Sequence, residues 1–148
     1  HISIEEIYDP FLPEIFADVD QLQQVLLNLM MNAADAIGKS GKMTIHALLL
    51  NRTIPHRFND EREVVEIRVK DTGKGISREQ LKFIFDPFYT TKPTGIGLGL
   101  SIVYRIIHEH GGEVLVDSTE KQGTTFTLLL PLHEQVEQMR ADKMVPSL

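Results

Sequence analysis

The sequence predicts an α+β fold: a two-layer α/β sandwich whose mixed, mainly antiparallel sheet is covered on one face by helices. Three observations carry this. Leu22, Val25, Leu26, Leu29, Ala33, Ala36 and Ile37 recur at spacings of three and four, the period of a helix that buries one face. Runs rich in Ile, Val and Leu at 42–50, 64–70, 114–118 and 124–130 read as strands. Their order is strand, helix, two strands, helices, two strands, without the regular alternation of a parallel α/β protein.

Each element has its own signal. Residues 1–7 alternate Ile2 and Ile4 with polar neighbours, which predicts an edge strand. Pro10 and Pro13 end it, and 15–18 reads as a second short extended piece. Asp18 followed by Gln21 predicts a capping box for the long helix, and Gly38 and Gly41 close its far end. Strands 42–50 and 64–70 then form an antiparallel hairpin across the polar loop 51–63, which carries Pro55. Ser77 with Gln80 makes a second capping box, opening a short helix to about Phe83. Residues 86–97 hold Pro87, Pro93, Gly95 and Gly97 and read as an irregular, mobile loop. Leu100, Ile102, Val103, Ile106 and Ile107 form a second helical stripe, ended by Gly111 and Gly112. Strands 114–118 and 124–130 close the domain as a hairpin through Gly123. The domain is thus read as 1–132, and the charged, weakly amphipathic 133–148 as a C-terminal tail or linker.

Composition narrows the function. A chain of 148 residues fits one domain and buries roughly two thirds of its unfolded surface without a disulfide or structural zinc. With no cysteine, thiol catalysis and iron–sulfur chemistry are excluded. A net charge of −6 argues against nucleic-acid binding, and the apolar runs are too short to span a bilayer. Beginning at His1 with no targeting segment, the chain reads as a piece of something longer.

Four clusters carry chemistry. Asn28 and Asn32, four apart, point from one face of the long helix. An amide beside an apolar stripe must be satisfied. It is either a packing amide or an oxygen ligand for Mg²⁺, which takes few protein ligands beside substrate phosphates. Asp71-Thr72-Gly73-Lys74-Gly75-Ile76 follows a strand. Alone it is an ordinary turn; alternatively, Asp71 accepts from an exocyclic amine while the glycines let backbone approach a flat ring. Phe85-Asp86-Pro87-Phe88-Tyr89-Thr90-Thr91-Lys92 would by itself be an aromatic anchor under a surface loop. Gly95-Ile96-Gly97-Leu98-Gly99-Leu100 runs into a helix, where glycine amides and the positive helix end make an anion site. The glycines come too late, and without a parallel βαβ pattern, for a dinucleotide fingerprint, and the GxxxxGK[ST] loop is absent.

In that order, these clusters resemble the asparagine, first glycine, phenylalanine and second glycine boxes of the sensor histidine kinase catalytic domain. That domain has the Bergerat fold of the GHKL ATPases, beside the Hsp90, gyrase and MutL families. The resemblance covers roughly residues 1–132. The wording of 85–92 with Gly97-Leu98-Gly99-Leu100-Ser101-Ile102-Val103 is most similar to the NtrB-like subgroup of bacterial two-component kinases.

The resemblance implies ATP and Mg²⁺ as cofactors. Asn32 would be the metal ligand and Asn28 would lie one turn back, near the phosphates. Asp71 would take the adenine amine, with Gly73, Gly75 and Ile76 lining the base and Thr124 joining its hydrogen bonds. Thr90, Thr91 and Lys92 would lie on a short ATP lid, Lys92 touching the γ-phosphate. Gly95, Ile96, Gly97, Leu98, Gly99 and Leu100 would cradle the triphosphate. ATP-hydrolysing relatives carry a glutamate base one turn before the metal asparagine. Asn28 cannot take a proton, which tilts the reading from hydrolysis to transfer, where positioning matters most.

The phosphoacceptor is missing. None of His1, His46, His56, His108, His110 and His133 sits in a context like His-Glu-x-x-x-Pro, and the i, i+2 spacing of His108 and His110 argues against a metal pair. The expected function is therefore transfer of the γ-phosphate to a histidine on a separate dimerisation domain, and indirectly to a response regulator. The fragment itself is expected to be monomeric and cytoplasmic, without membrane contact, even if its parent is membrane-anchored. A Bergerat clamp ATPase, an anti-sigma-type serine kinase and an interaction module without catalysis are the alternatives.

Overall fold

The computed structural model describes residues 1–132 apart from 58 and 94, so the expectation for 133–148 lies outside the described residues. The elements are β1 (Ile2–Tyr8), α1 (Val19–Ile37), β2 (Gly41–Arg52), β3 (Arg62–Asp71), α2 (Arg78–Leu81), α3 (Gly99–Glu109), β4 (Glu113–Thr119) and β5 (Gly123–Pro131). They form one five-stranded sheet in the order β1-β2-β3-β5-β4. β1 pairs parallel with β2, while β2–β3, β3–β5 and β4–β5 are antiparallel. The sheet is mixed and mainly antiparallel, as expected.

The helices bury their apolar stripes on the sheet. Val25, Leu29 and Ala33 of α1 and Val103, Ile106 and Ile107 of α3 enclose the core with Met43, Val69, Phe126 and Leu128 from the strands. Each large aliphatic side chain so buried contributes roughly 1.5–3 kcal/mol. The opposite face is partly closed by the β2–β3 loop, which seats Ile54 against Val64 and Leu129.

Four expectations need correction. Residues 15–18 form no strand; the segment is the approach to α1, and Ile15 packs on the core. Asp18 caps α1, its carboxylate accepting from the Gln21 amide at 3.1 Å, but only Ser77 and Gln80 form both halves of a capping box. The β2–β3 connection is shorter than 51–63, because both strands run past the apolar residues to pair Asn51 with Glu63 and Arg52 with Arg62. Finally, β1–α1–β2 is a parallel crossover, which the sequence reading did not anticipate. The glycine-rich segments lie elsewhere, after β3 and before α3, and not between β1 and α1 where a dinucleotide fingerprint would place them.

Candidate functional site

Register puts three polar side chains in one row on the helix-covered side of the sheet. Asp71 at the end of β3 pairs with Thr124 of β5, and Thr124 pairs with Ser118 of β4. Asp71 and Thr124 are both buried, with 4% of each surface exposed. A buried carboxylate is costly unless partnered. The Gly73 amide donates to Asp71 Oδ1 at 2.8 Å. Burial pushes the Asp71 carboxyl above its usual range, and the Gly73 and Thr124 amides pull it back in part. Open space of about 180 Å³ lies at this end of the sheet, and its lining includes Lys70, Thr125 and Asp117, which pair across the strands on the helix-free face, besides Asp71, Ser118 and Thr124. That volume is less than the ~300–1,000 Å³ typical of ligand pockets.

Ser118 is the residue the sequence reading missed. Its hydroxyl accepts from the Ile76 amide at 2.8 Å, contacts Thr124 Oγ1 at 2.7 Å, and donates to the Gly123 carbonyl at 3.1 Å. Nothing in Val116-Asp117-Ser118-Thr119 marks it; only strand register does.

The glycines after β3 are demanded by the protein itself. A Cβ on Gly73 would lie 2.5 Å from the Ala36 carbonyl oxygen, and one on Gly75, where φ is +71°, would lie 2.1 Å from that of Thr119. Their effect is to lock the loop: the Lys74 amide donates to Ala36 at 3.0 Å.

A second group gathers along α1. Asn28, Asn32 and Ala36 are successive turns of one face, spanning about 12 Å at 1.5 Å per residue. The Asn28 amide donates to the Gly99 carbonyl at the start of α3, at 3.2 Å. Asn32 Oδ1 accepts from Lys92 Nζ at 3.0 Å, and the same ammonium lies 2.6 Å from Asp35 Oδ2. Lys92 is thus brought to the asparagine face, with Asp35 as a counter-charge that the sequence reading did not single out.

The described residues of the 86–97 segment are irregular, as expected. Its two ends meet: the Phe88 amide donates to the Gly97 carbonyl at 2.8 Å. A Cβ on Gly97, where φ is +80°, would lie 2.4 Å from the Phe88 carbonyl carbon. Within the loop Thr90 Oγ1 accepts from the Lys92 amide at 3.0 Å, and Thr91, Gly95 and Ile96 are exposed. Leu98, the N-cap of α3, supplies no side-chain hydrogen bond. A Cβ on Gly99 would meet only Asn28 Cγ, at 4.0 Å, so the helix start is sterically open. Leu100 instead packs on the core.

His108 and His110 are structural. His108 contacts Glu113 and stacks on Tyr104, with ring centroids 3.9 Å apart. His110 Nε2 accepts from the Asp18 amide at 3.1 Å, tying α3 to the start of α1. Among the described residues no cluster of three or more His, Cys, Asp or Glu could hold a metal, and no helix is long and apolar enough to cross a membrane.

This constellation has counterparts. The family described as Histidine kinase-, DNA gyrase B-, and HSP90-like ATPase matches residues 17–134. The chain belongs to that ATPase family. Within it, the chain is 47% identical over 122 residues to the sensor histidine kinase ZraS of Escherichia coli K12, covering 82% of this chain and 24% of that protein. It is 45% identical over 135 residues to the sensory histidine kinase/phosphatase NtrB of Rhizobium meliloti, covering 88% and 35%. The catalytic domain of histidine kinase ThkA superposes with a TM-score of 0.71 at 33% identity, over 88% of this chain and 79% of that one. Full-length ShkA, solved in complex with AMPPNP, gives 0.70 at 33% identity, over 88% and 25%. The chain therefore spans about a quarter to a third of these curated relatives. The GHKL fold and the NtrB-like resemblance hold, and these relatives do not favour a clamp ATPase.

The residues of this family member fit an adenine nucleotide. Asp71 offers a buried acceptor, α3 starts without a side-chain cap, and the Asn28 amide reaches that start from α1.

Proposed function

We propose that residues 1–132 are the catalytic domain of a histidine kinase in two-component signalling, which holds Mg–ATP and passes the γ-phosphate to a histidine on a separate dimerisation and phosphoacceptor domain. A response regulator would receive the phosphate afterwards. The domain by itself would be monomeric and cytoplasmic, and would bind no nucleic acid.

Asp71 accepts from the adenine amine, with Thr124 beside it and Gly73, Gly75 and Ile76 shaping the loop around the base. Gly95, Ile96, Gly97, Leu98, Gly99 and Leu100 bring the α3 amides toward the phosphates, an arrangement suited to anions. Asn32 offers its amide oxygen to Mg²⁺, whose role is to neutralise charge on the phosphates. Thr90, Thr91 and Lys92 form the lid. Lys92 Nζ must leave Asn32 and Asp35 to reach a γ-phosphate, so its ammonium has two anionic or polar docks a short distance apart.

The observation that carries transfer over hydrolysis is the Asn28 side chain, an amide already engaged with the Gly99 carbonyl. It cannot deprotonate water. A neutral imidazole needs no such base, and positioning with charge neutralisation suffices. With Mg–ATP alone the domain should release phosphate very slowly and should not label itself. Rapid multiple-turnover release from the domain alone, followed by a phosphate-release assay, would contradict this and favour a clamp ATPase.

A further inference from the structure

The amide oxygen of Asn32 already holds a cation. Lys92 Nζ donates to Asn32 Oδ1 at 3.0 Å, and Asp35 Oδ2 accepts from the same ammonium at 2.6 Å. An ammonium has three donors and no acceptor, so this contact fixes the Asn32 amide with its oxygen, not its nitrogen, toward positive charge. An amide oxygen so presented is a donor that suits a hard cation, and the ammonium stands in that cation's place.

Burial does not force Lys92 to this spot. Its side chain is 40% exposed and that of Asp35 58%, and Lys92 lies 60 residues from Asn32 in the sequence. Charge and local geometry bring it there. Asp35 follows Asn32 by three residues on α1, so the carboxylate and the amide oxygen make a two-point seat for one ammonium. Thr90 steadies the approach, its hydroxyl accepting from the Lys92 amide at 3.0 Å. The seat cannot serve two cations at once, because a divalent ion and an ammonium in contact with one oxygen repel each other.

We propose that Lys92 is a resident competitor for the metal: seated by Asp35, it occupies the Asn32 oxygen in the nucleotide-free domain and surrenders it when a magnesium–nucleotide arrives. This rests on the Mg–ATP reading of the site and adds its regulation. Lys92 becomes available to a γ-phosphate only once it has given up that oxygen, so engagement of the lid follows seating of the metal. The hold is modest, as exposed ion pairs are, which lets the exchange run in both directions.

The test is calorimetric titration of the chain with ADP, with and without saturating magnesium, in the parent, Lys92→Met, Asn32→Ala and the double variant. The quantity read is the factor by which magnesium strengthens ADP binding. Lys92→Met removes the competitor, so this factor should rise about threefold to fivefold, the scale set by an exposed ion pair. In the Asn32→Ala background the same substitution should leave the factor unchanged, because the contested oxygen is gone. A rise of equal size in both backgrounds means that the ammonium acts through its field or on the phosphates, and overturns the proposal. No rise in Lys92→Met overturns it as well. If Asn32→Ala does not fold, Asn32→Gln, which displaces the contested oxygen by a methylene, is read by the same criterion. ADP binding that magnesium alters in neither the parent nor Lys92→Met overturns the proposal and the metal seat, but leaves adenine recognition standing. A parent that binds no ADP overturns the nucleotide reading itself, and the proposal with it.

Discussion

At Asp71 a carboxylate is held at 4% exposure beside the Gly73 amide. A carboxylate placed this way weakens the fold when it is charged. Because burial raises its pKa from the ordinary 3.8, the native protein keeps that proton at pH values where the unfolded chain has released it. Its contribution to stability is therefore present below the ordinary carboxylate range and is lost as pH rises through the raised native value. Asp71→Asn removes this titration. The stability difference between variant and parent should move in the variant's favour as pH rises above the ordinary carboxylate range, measured by urea denaturation; a flat difference would contradict burial as the cause. The same variant should bind ADP about ten- to a hundredfold more weakly, since a hydrogen bond to a charged acceptor contributes ~1.5–3 kcal/mol. Unchanged ADP affinity in a folded variant would remove Asp71 from the site. Asn32→Ala separates the two ends of the site: phosphotransfer should be abolished while ADP affinity without magnesium stays near the parent's. Equal transfer rates at saturating magnesium would remove Asn32. These residues could be read from the sequence because each is an unusual type in its place, a carboxylate at a strand end or amides beside an apolar stripe. Ser118 and Asp35 could not be read, since an ordinary strand serine and an exposed helix carboxylate acquire partners only through pairing and packing distant in sequence.

The segment between α2 and α3 behaves as an element in its own right. Its base is closed by the Phe88–Gly97 hydrogen bond, and Lys92 docks on Asn32 and Asp35 of α1. Both side chains of the Lys92–Asp35 pair are substantially exposed, and exposed ion pairs contribute only ~0–1 kcal/mol, so this dock releases easily. Hydrogen exchange across 86–97 should accordingly fall when a non-hydrolysable ATP analogue is added. No difference in protection would mean that the nucleotide does not engage the segment. Gly97→Ala places a Cβ against the Phe88 carbonyl in a left-handed conformation, so the loop base should open. Exchange at the Phe88 amide should rise at least several-fold, whereas that of α1 should stay unchanged. Elements of this size were legible to different degrees. α1 and α3 announce themselves through long 3.6-residue periods, and the capping pair Ser77 and Gln80 marks α2. The parallel pairing of β1 with β2 leaves no local trace, because strand order depends on how α1 crosses the sheet. The short extended piece expected at 15–18 reflects the same limit: apolar Ile15 and Phe16 satisfy a two-residue alternation without having a strand to pair with.

For the whole molecule, the decisive feature is a division of labour. One end of the α1 face meets the α3 start through Asn28, and the other meets the Asp71 loop through Ala36. The order of the motifs along the chain is legible in the sequence, because each follows a strand, or lies in or precedes a helix whose apolar period marks it. The most direct measurement is transfer of labelled γ-phosphate from Mg–ATP by this chain to the dimerisation domain of its own parent kinase. The expected product is a labelled partner whose phosphate is lost in acid and kept in base, as a protonated phosphoramidate nitrogen is a good leaving group, with no label on this chain. An acid-stable product, or phosphate released to solvent with no labelled partner, would contradict histidine phosphotransfer.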